Sequence, residues 1–185
     1  MASVDFEKAT INDLQLFEDK AELIGGKIVQ LMPTGRRPNR IGGNIFANLR
    51  AAEPAIGSGE AHTDNIAFVI DELSSARETF SPDVSYFFGP FSEPPMKFLR
   101  GAPTFAVEVR SEHDYGPSAE REMAEKRADY FEAGTSVVWD VDPEAEIIRS
   151  FRGSEEDITI FRRGELANAE PAVPGWQMAV NEVFA

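Results

Sequence analysis

Two carboxylates stand where a soluble protein would ordinarily place apolar side chains. Glu108 interrupts the apolar run "TFAVEVRS", and Asp83 opens the run "PDVSYFF". In a strand alternate residues share a face, so Phe105, Val107 and Val109 point one way and Ala106, Glu108 and Arg110 the other. A lone carboxylate on a buried face costs several kcal/mol unless it is paired or holds a metal. On neighbouring strands, Asp83 and Glu108 could share one hard cation through oxygen ligands, which suits Mg²⁺ or Mn²⁺. Such an ion polarises a phosphate and lowers the pKa of its bound water, and a nearby lysine could orient that water or stabilise developing charge. The competing expectation is a purely structural ion pair between Glu108 and Arg110 or Lys126.

These residues need elements to position them. The segment "ATINDLQLFEDK" reads as a short helix capped by Thr10 or Asn12, and "AELIGGKIVQLMP" as a hairpin turning at Gly25-Gly26. Ile41, Ile45, Phe46 and Leu49 recur at helical spacing, weakened by Gly42 and Gly43. "NIAFVID", "PDVSYFF", "TFAVEV", "SVVWDVD", "EIIRSFR" and "DITIFRR" read as strands, with Pro82 tolerated at a strand start. A helix is predicted from about Pro117 to Ala133, stopped by Gly134. On it Met123, Ala124, Ala128, Tyr130 and Phe131 form an apolar stripe, with Lys126 at the edge near Tyr130. Arg127 falls inside the stripe, which calls for an ion pair with a core acid. Helices at the ends and in the middle, with strands between, imply mixed α/β, and 185 residues suit one domain.

Composition narrows the function classes. The absence of cysteine removes disulfides and thiolate metal sites. Only His62 and His113 are histidines, and no Ser-His-Asp order supports an esterase. No apolar run approaches the roughly 18 residues of a membrane span, and "MASVDFEKAT" carries no signal-peptide core; a soluble cytoplasmic protein is expected. The formal net charge is -14, yet Lys27 to Ala52 contains no acid and five cations, three of them in "GRRPNR". Read as a Gly/Pro loop, Arg36, Arg37 and Arg40 could contact phosphate.

Taken in order, "PDV", "FAVEVRS" and "EKRADYFEAGTSVVWDVDP" resemble the PD-(D/E)XK nuclease superfamily. More closely they resemble the bacterial Uma-two family of restriction-endonuclease-like proteins, to which "AELIGGKIVQLMP" and "VPGWQMAVNEVF" are also similar. The resemblance implies a restriction-endonuclease-like mixed sheet flanked by helices, with an N-terminal helix-hairpin-helix extension. It also implies Mg²⁺ or Mn²⁺ and cleavage of DNA; a homodimer, which would double the basic strip, is expected. By it Asp83 and Glu108 are the metal carboxylates and Glu22 an accessory acid. Where the superfamily places lysine, two residues after the acid, this chain has Arg110, which is permanently protonated and is expected to touch nucleic acid; the resemblance gives the missing role to Lys126. A histidine common at the start of the family's second helix is replaced by Asn39 or Arg40. Two functions stay open: a metal-dependent DNA endonuclease, and a catalytically inactive or partner-dependent nucleic-acid-binding or scaffold relative.

Overall fold

A computed structural model describes residues 8–185; the reading of the first seven residues lies outside them. Helix α1 (Ile11–Gln15) starts on a reciprocal cap, in which Asp13 Oδ2 accepts from the Thr10 N–H at 2.7 Å and Thr10 Oγ1 accepts from the Asp13 N–H. Strands β1 (Ala21–Ile24) and β2 (Lys27–Gln30) pair antiparallel. Their two-residue turn needs positive φ at both centres, met by Gly25 at 57° and Gly26 at 70°.

Helix α2 (Arg36–Ile56) begins earlier than expected. Arg36, Arg37 and Arg40 lie in its first turns rather than in a loop. Pro38 is compatible with this, because the first-turn N–H groups have no partner inside a helix anyway. Ile41, Ile45 and Leu49, each at most 2% exposed, form its inward stripe. The helix therefore belongs to the main core and not to an appended N-terminal unit.

The chain then forms β3 (Glu60–Thr63), β4 (Phe68–Val69), β5 (Thr79–Phe80), β6 (Val84–Phe87), β7 (Leu99–Arg100) and β8 (Phe105–Val109). Helix α3 (Pro117–Glu132) crosses over to β9 (Val137–Asp142). Then come β10 (Ile147–Arg152), β11 (Ile158–Arg162), β12 (Leu166–Asn168), β13 (Gln177–Ala179) and α4 (Val180–Val183). Six strands make one mixed sheet in the order β11-β10-β9-β8-β6-β3, in which only β8 and β9 run parallel. A parallel neighbour needs a crossover, and α3 supplies it. The run "NIAFVID" leaves the main sheet: its β4 sits between β5 and β7 in a small side sheet.

Each face of the main sheet has its own apolar cluster. On one face Phe105, Val107 and Trp139 pack with α2, α4 and Trp176. On the other, Ala106 and Val138 pack with Tyr130 of α3 and with Phe68 and Phe80 of the side sheet. This second face is the one onto which Glu108 points.

Candidate active site

Asp83 immediately precedes β6, and its two hydrogen bonds to β8 straddle Glu108. Its backbone N–H donates to the Val107 carbonyl at 3.1 Å, and its Oδ2 accepts from the Val109 N–H at 2.8 Å. The two strand-borne carboxylates are thus brought together at one end of the sheet. Lys126, on α3, sets its Nζ 2.9 Å from Glu108 Oε1 and 3.5 Å from Glu22 Oε1. Tyr130, one helical turn on, donates its hydroxyl to the same Glu108 oxygen at 2.6 Å. Glu22 reaches the site from β1 and is held by the Ser81 N–H at 2.9 Å and by the Arg77 guanidinium. Arg77 in turn donates to Asp129 at 2.8 Å. The Lys20 ammonium pairs with Asp64 and lies 3.6 Å from Asp83 Oδ1.

The charges have different fates. Burial pushes the Glu108 carboxyl above its ordinary 4.5; Lys126 opposes that shift and the neighbouring Asp83 adds to it. Burial likewise raises Asp83, against Lys20 and the Val109 N–H. Glu22 is the opposite case: burial would raise it, but Lys126 and Arg77 together hold it below 4.5. Burial disfavours the Lys126 charge, yet Glu108 and Glu22 outweigh it and raise the ammonium's pKa. Lys126 is a protonated donor at neutral pH. Tyr130, raised by burial and by Glu108, keeps its proton.

Two acids raised by burial beside each other would gain from an added cation. The donor set suits a hard one. Among the described residues neither Glu108 Oε2 nor Asp83 Oδ1 accepts a hydrogen bond, and the Lys20 ammonium lies 3.6 Å from the latter. No three acidic or imidazole side chains among the described residues close around a common point. A cation here would rest on two carboxylates and keep water or phosphate on its other positions, the manner in which Mg²⁺ is commonly held.

A cleft of about 490 Å³ adjoins the pair, lined by Glu22, Glu108, Lys126 and Tyr130. Val29 and Leu31 from the hairpin and Met123 of α3 add apolar lining. Asp83 does not line the cleft and stands outside its enclosed part.

Two expectations need revision. Arg110 is 3% exposed, and its guanidinium is used up by Asp140, at 2.7 Å through both Nε and Nη2, and by Glu120. It cannot present that fork to a phosphate. The structural partner of Glu108 is Lys126, not Arg110. Arg127 does find its core acid: it donates to Asp140 at 3.2 Å and to Glu155 at 2.8 Å. The supports Arg77, Asp129, Lys20 and Asp140 were not anticipated. For Asp140 a signal existed, since alternation from the core Trp139 puts it on the Glu108 face, and the two residues are register partners.

The basic turn lies at the same end of the sheet. The Gly42 backbone of α2 sits against Val84, the residue after Asp83. At a rise of 1.5 Å per residue, Arg36 lies roughly 9 Å further along that axis. Arg37 reaches Glu146, in the turn after β9, at 2.5 Å, and Arg40 donates to the Ala185 carbonyl at 3.3 Å.

Comparison with known proteins agrees with this architecture. The Uma2 family model, described as "Putative restriction endonuclease", matches residues 10–181. The crystal structure of a "putative nuclease belonging to DUF820" from Anabaena variabilis ATCC 29413 superposes with a TM-score of 0.69 at 16% identity. The match covers 95% of this chain and 97% of that one. No curated protein matches. Among the described residues no helix is long and apolar enough to cross a membrane. With 172 consecutive positions of the chain matched by one family model, the protein is a member of the Uma2 family.

Proposed function

We propose that this nuclease-family protein is a metal-dependent DNA endonuclease hydrolysing phosphodiester bonds at Asp83 and Glu108. The observation that carries the reading is the pair of burial-raised carboxylates on adjacent strands, with a protonated lysine 2.9 Å from one of them. Asp83 and Glu108 would hold Mg²⁺ or Mn²⁺, which when bound supplies a polarised phosphate and a water of lowered pKa. The Val109 N–H orients Asp83, and Tyr130 orients Glu108. Lys126 is charged and therefore acts as a donor, to the attacking water or to a phosphate oxygen whose charge grows in the transition state. Glu22 sets the position of Lys126 from the other side. Digestion of supercoiled and linear DNA with Mg²⁺, with and without chelator, tests the reading. Chelator-sensitive cutting supports it, and no cutting by a folded, metal-loaded protein counts against it.

The basic first turns of α2 are the proposed DNA contact. A helix N-terminus favours anions, yet α2 has no acid in its first turn and carries Arg36 and Arg37 there. A phosphate would relieve that arrangement, and a homodimer would double the strip along one duplex. A second reading, a non-catalytic nucleic-acid-binding or scaffold relative, is favoured by one feature: the Lys126 ammonium, 2.9 Å from Glu108 and 3.5 Å from Glu22, is an internal counter-charge to both carboxylates.

A further inference from the structure

The Lys20 ammonium lies between two acids, paired with Asp64 and 3.6 Å from Asp83 Oδ1. It enters from the residue before β1, whereas Lys126 comes from α3. Its backbone is fixed, because the Lys20 carbonyl accepts from the Leu31 N–H at 2.9 Å across the hairpin. Its side chain is 20% exposed. Lys20 is therefore anchored at its base, and part of its side chain reaches solvent. Asp64 follows the last residue of β3, and Thr63 pairs with Val84, so Asp64 and Asp83 sit at the same end of adjacent strands.

We propose that Lys20 is a positioning residue that occupies the metal side of Asp83 and is displaced when the metal binds. The proposal rests on the metal reading of Asp83 and Glu108. A divalent ion bonded to Asp83 at about 2.1 Å would stand within a few ångströms of the ammonium, and two cations at that separation repel strongly in a partly buried site. Lys126 need not move in the same way, because Glu22 retains it on its far side. Lys20 has Asp64 to retain it, and Asp64 is half-exposed. The exchange at Asp83 thus moves the ammonium outward with its partner Asp64 still beside it. Lys20 offsets the charge of the half-buried carboxylate before loading and yields the position to the ion.

Two measurements read this directly. The first is the rate of amine acylation at each lysine, followed by mass spectrometry, with and without saturating Mn²⁺. Lys20 labelling is expected to rise severalfold on loading, while that of the remote Lys97 stays constant. The second is Mn²⁺ affinity at pH 8 by calorimetry. Lys20→Met should bind roughly tenfold more tightly than the parent, as expected when one partly screened competing charge is removed. Lys20→Arg should restore the parental affinity. Unchanged or slower Lys20 labelling on loading overturns the proposal, as does weaker Mn²⁺ binding by Lys20→Met. If Mn²⁺ binds and Glu108→Ala abolishes that binding while Lys20 does not respond, only the placeholder role fails. If Mn²⁺ does not bind the parent at all, the metal reading fails with it.

Discussion

Asp140 is the residue whose loss should cost the fold most for a single carboxylate. It is 1% exposed and accepts three guanidinium hydrogen bonds, two at 2.7 Å from Arg110 and one at 3.2 Å from Arg127. In Asp140→Ala, Arg110 would keep only Glu120 and Arg127 only Glu155, both partners reaching toward solvent. Two nearly buried cations would each lose their inner partner. Removing one member of a buried pair costs about 3–5 kcal/mol, a large share of the roughly 5–15 kcal/mol that holds an ordinary domain together. For a chain of this size that is a fall in Tm of roughly 6–20 °C. Urea unfolding followed by tryptophan fluorescence reads it well, since Trp139 is the preceding residue and fully buried. The control is Glu155→Ala, which removes only the solvent-facing partner of Arg127 and leaves Asp140 in place, so it should cost less, on the order of 1 kcal/mol. An Asp140→Ala protein no less stable than Glu155→Ala would refute the idea that this network is the structural replacement for a catalytic role at Arg110.

Other outcomes follow from the same geometry. Glu108→Gln should be more stable than the parent at pH 8 without metal, because the raised pKa of Glu108 means that its ionised form costs folding energy. That advantage is present above the folded pKa, fades as pH falls through it, and is gone below about the ordinary 4.5; melting curves from pH 4 to 8 check the sign, and added Mn²⁺ should stabilise only the parent. Reversing Arg36, Arg37 and Arg40 to glutamate should remove DNA binding across a salt series while leaving Mn²⁺ affinity nearly unchanged. Parental binding by that variant would place the contact surface elsewhere.

Much of the fold could be read from periodicity. The two-residue turn at Gly25-Gly26, the α2 stripe and the face alternation of β8 are local rules with local causes. The start of α2 is hidden in the sequence because Gly35 and Pro38 together have the composition of a loop, whereas a proline in a first helical turn sacrifices nothing. The side sheet could not be foreseen either, since β4 and β7 each contribute two residues and are defined by partners distant in sequence. Within the site, the positions of Asp83, Glu108 and Lys126 were legible from resemblance, and Arg127 from its place in an apolar stripe. Arg77 and Lys20 were not, because each meets its acids only through tertiary approach. Arg110 shows the limit of face reasoning: it shares the Glu108 face as expected, but Asp140 on the next strand captures it.

The central claim is that Asp83, Glu108 and Lys126 together form a hydrolytic centre, and the most direct test is a single-turnover plasmid-nicking assay in Mn²⁺. The parent, Asp83→Ala, Lys126→Ala and Arg127→Ala are compared at equal folded concentration, verified by circular dichroism. The account predicts that the parent nicks, that Asp83→Ala and Lys126→Ala lose at least about a hundredfold in rate, on the order of one general acid–base or charge-stabilising group, and that any surviving folded Arg127→Ala protein still cuts. Nicking by Asp83→Ala or Lys126→Ala at the parental rate would contradict it, as would a folded Arg127→Ala protein that is inactive while Lys126→Ala is not.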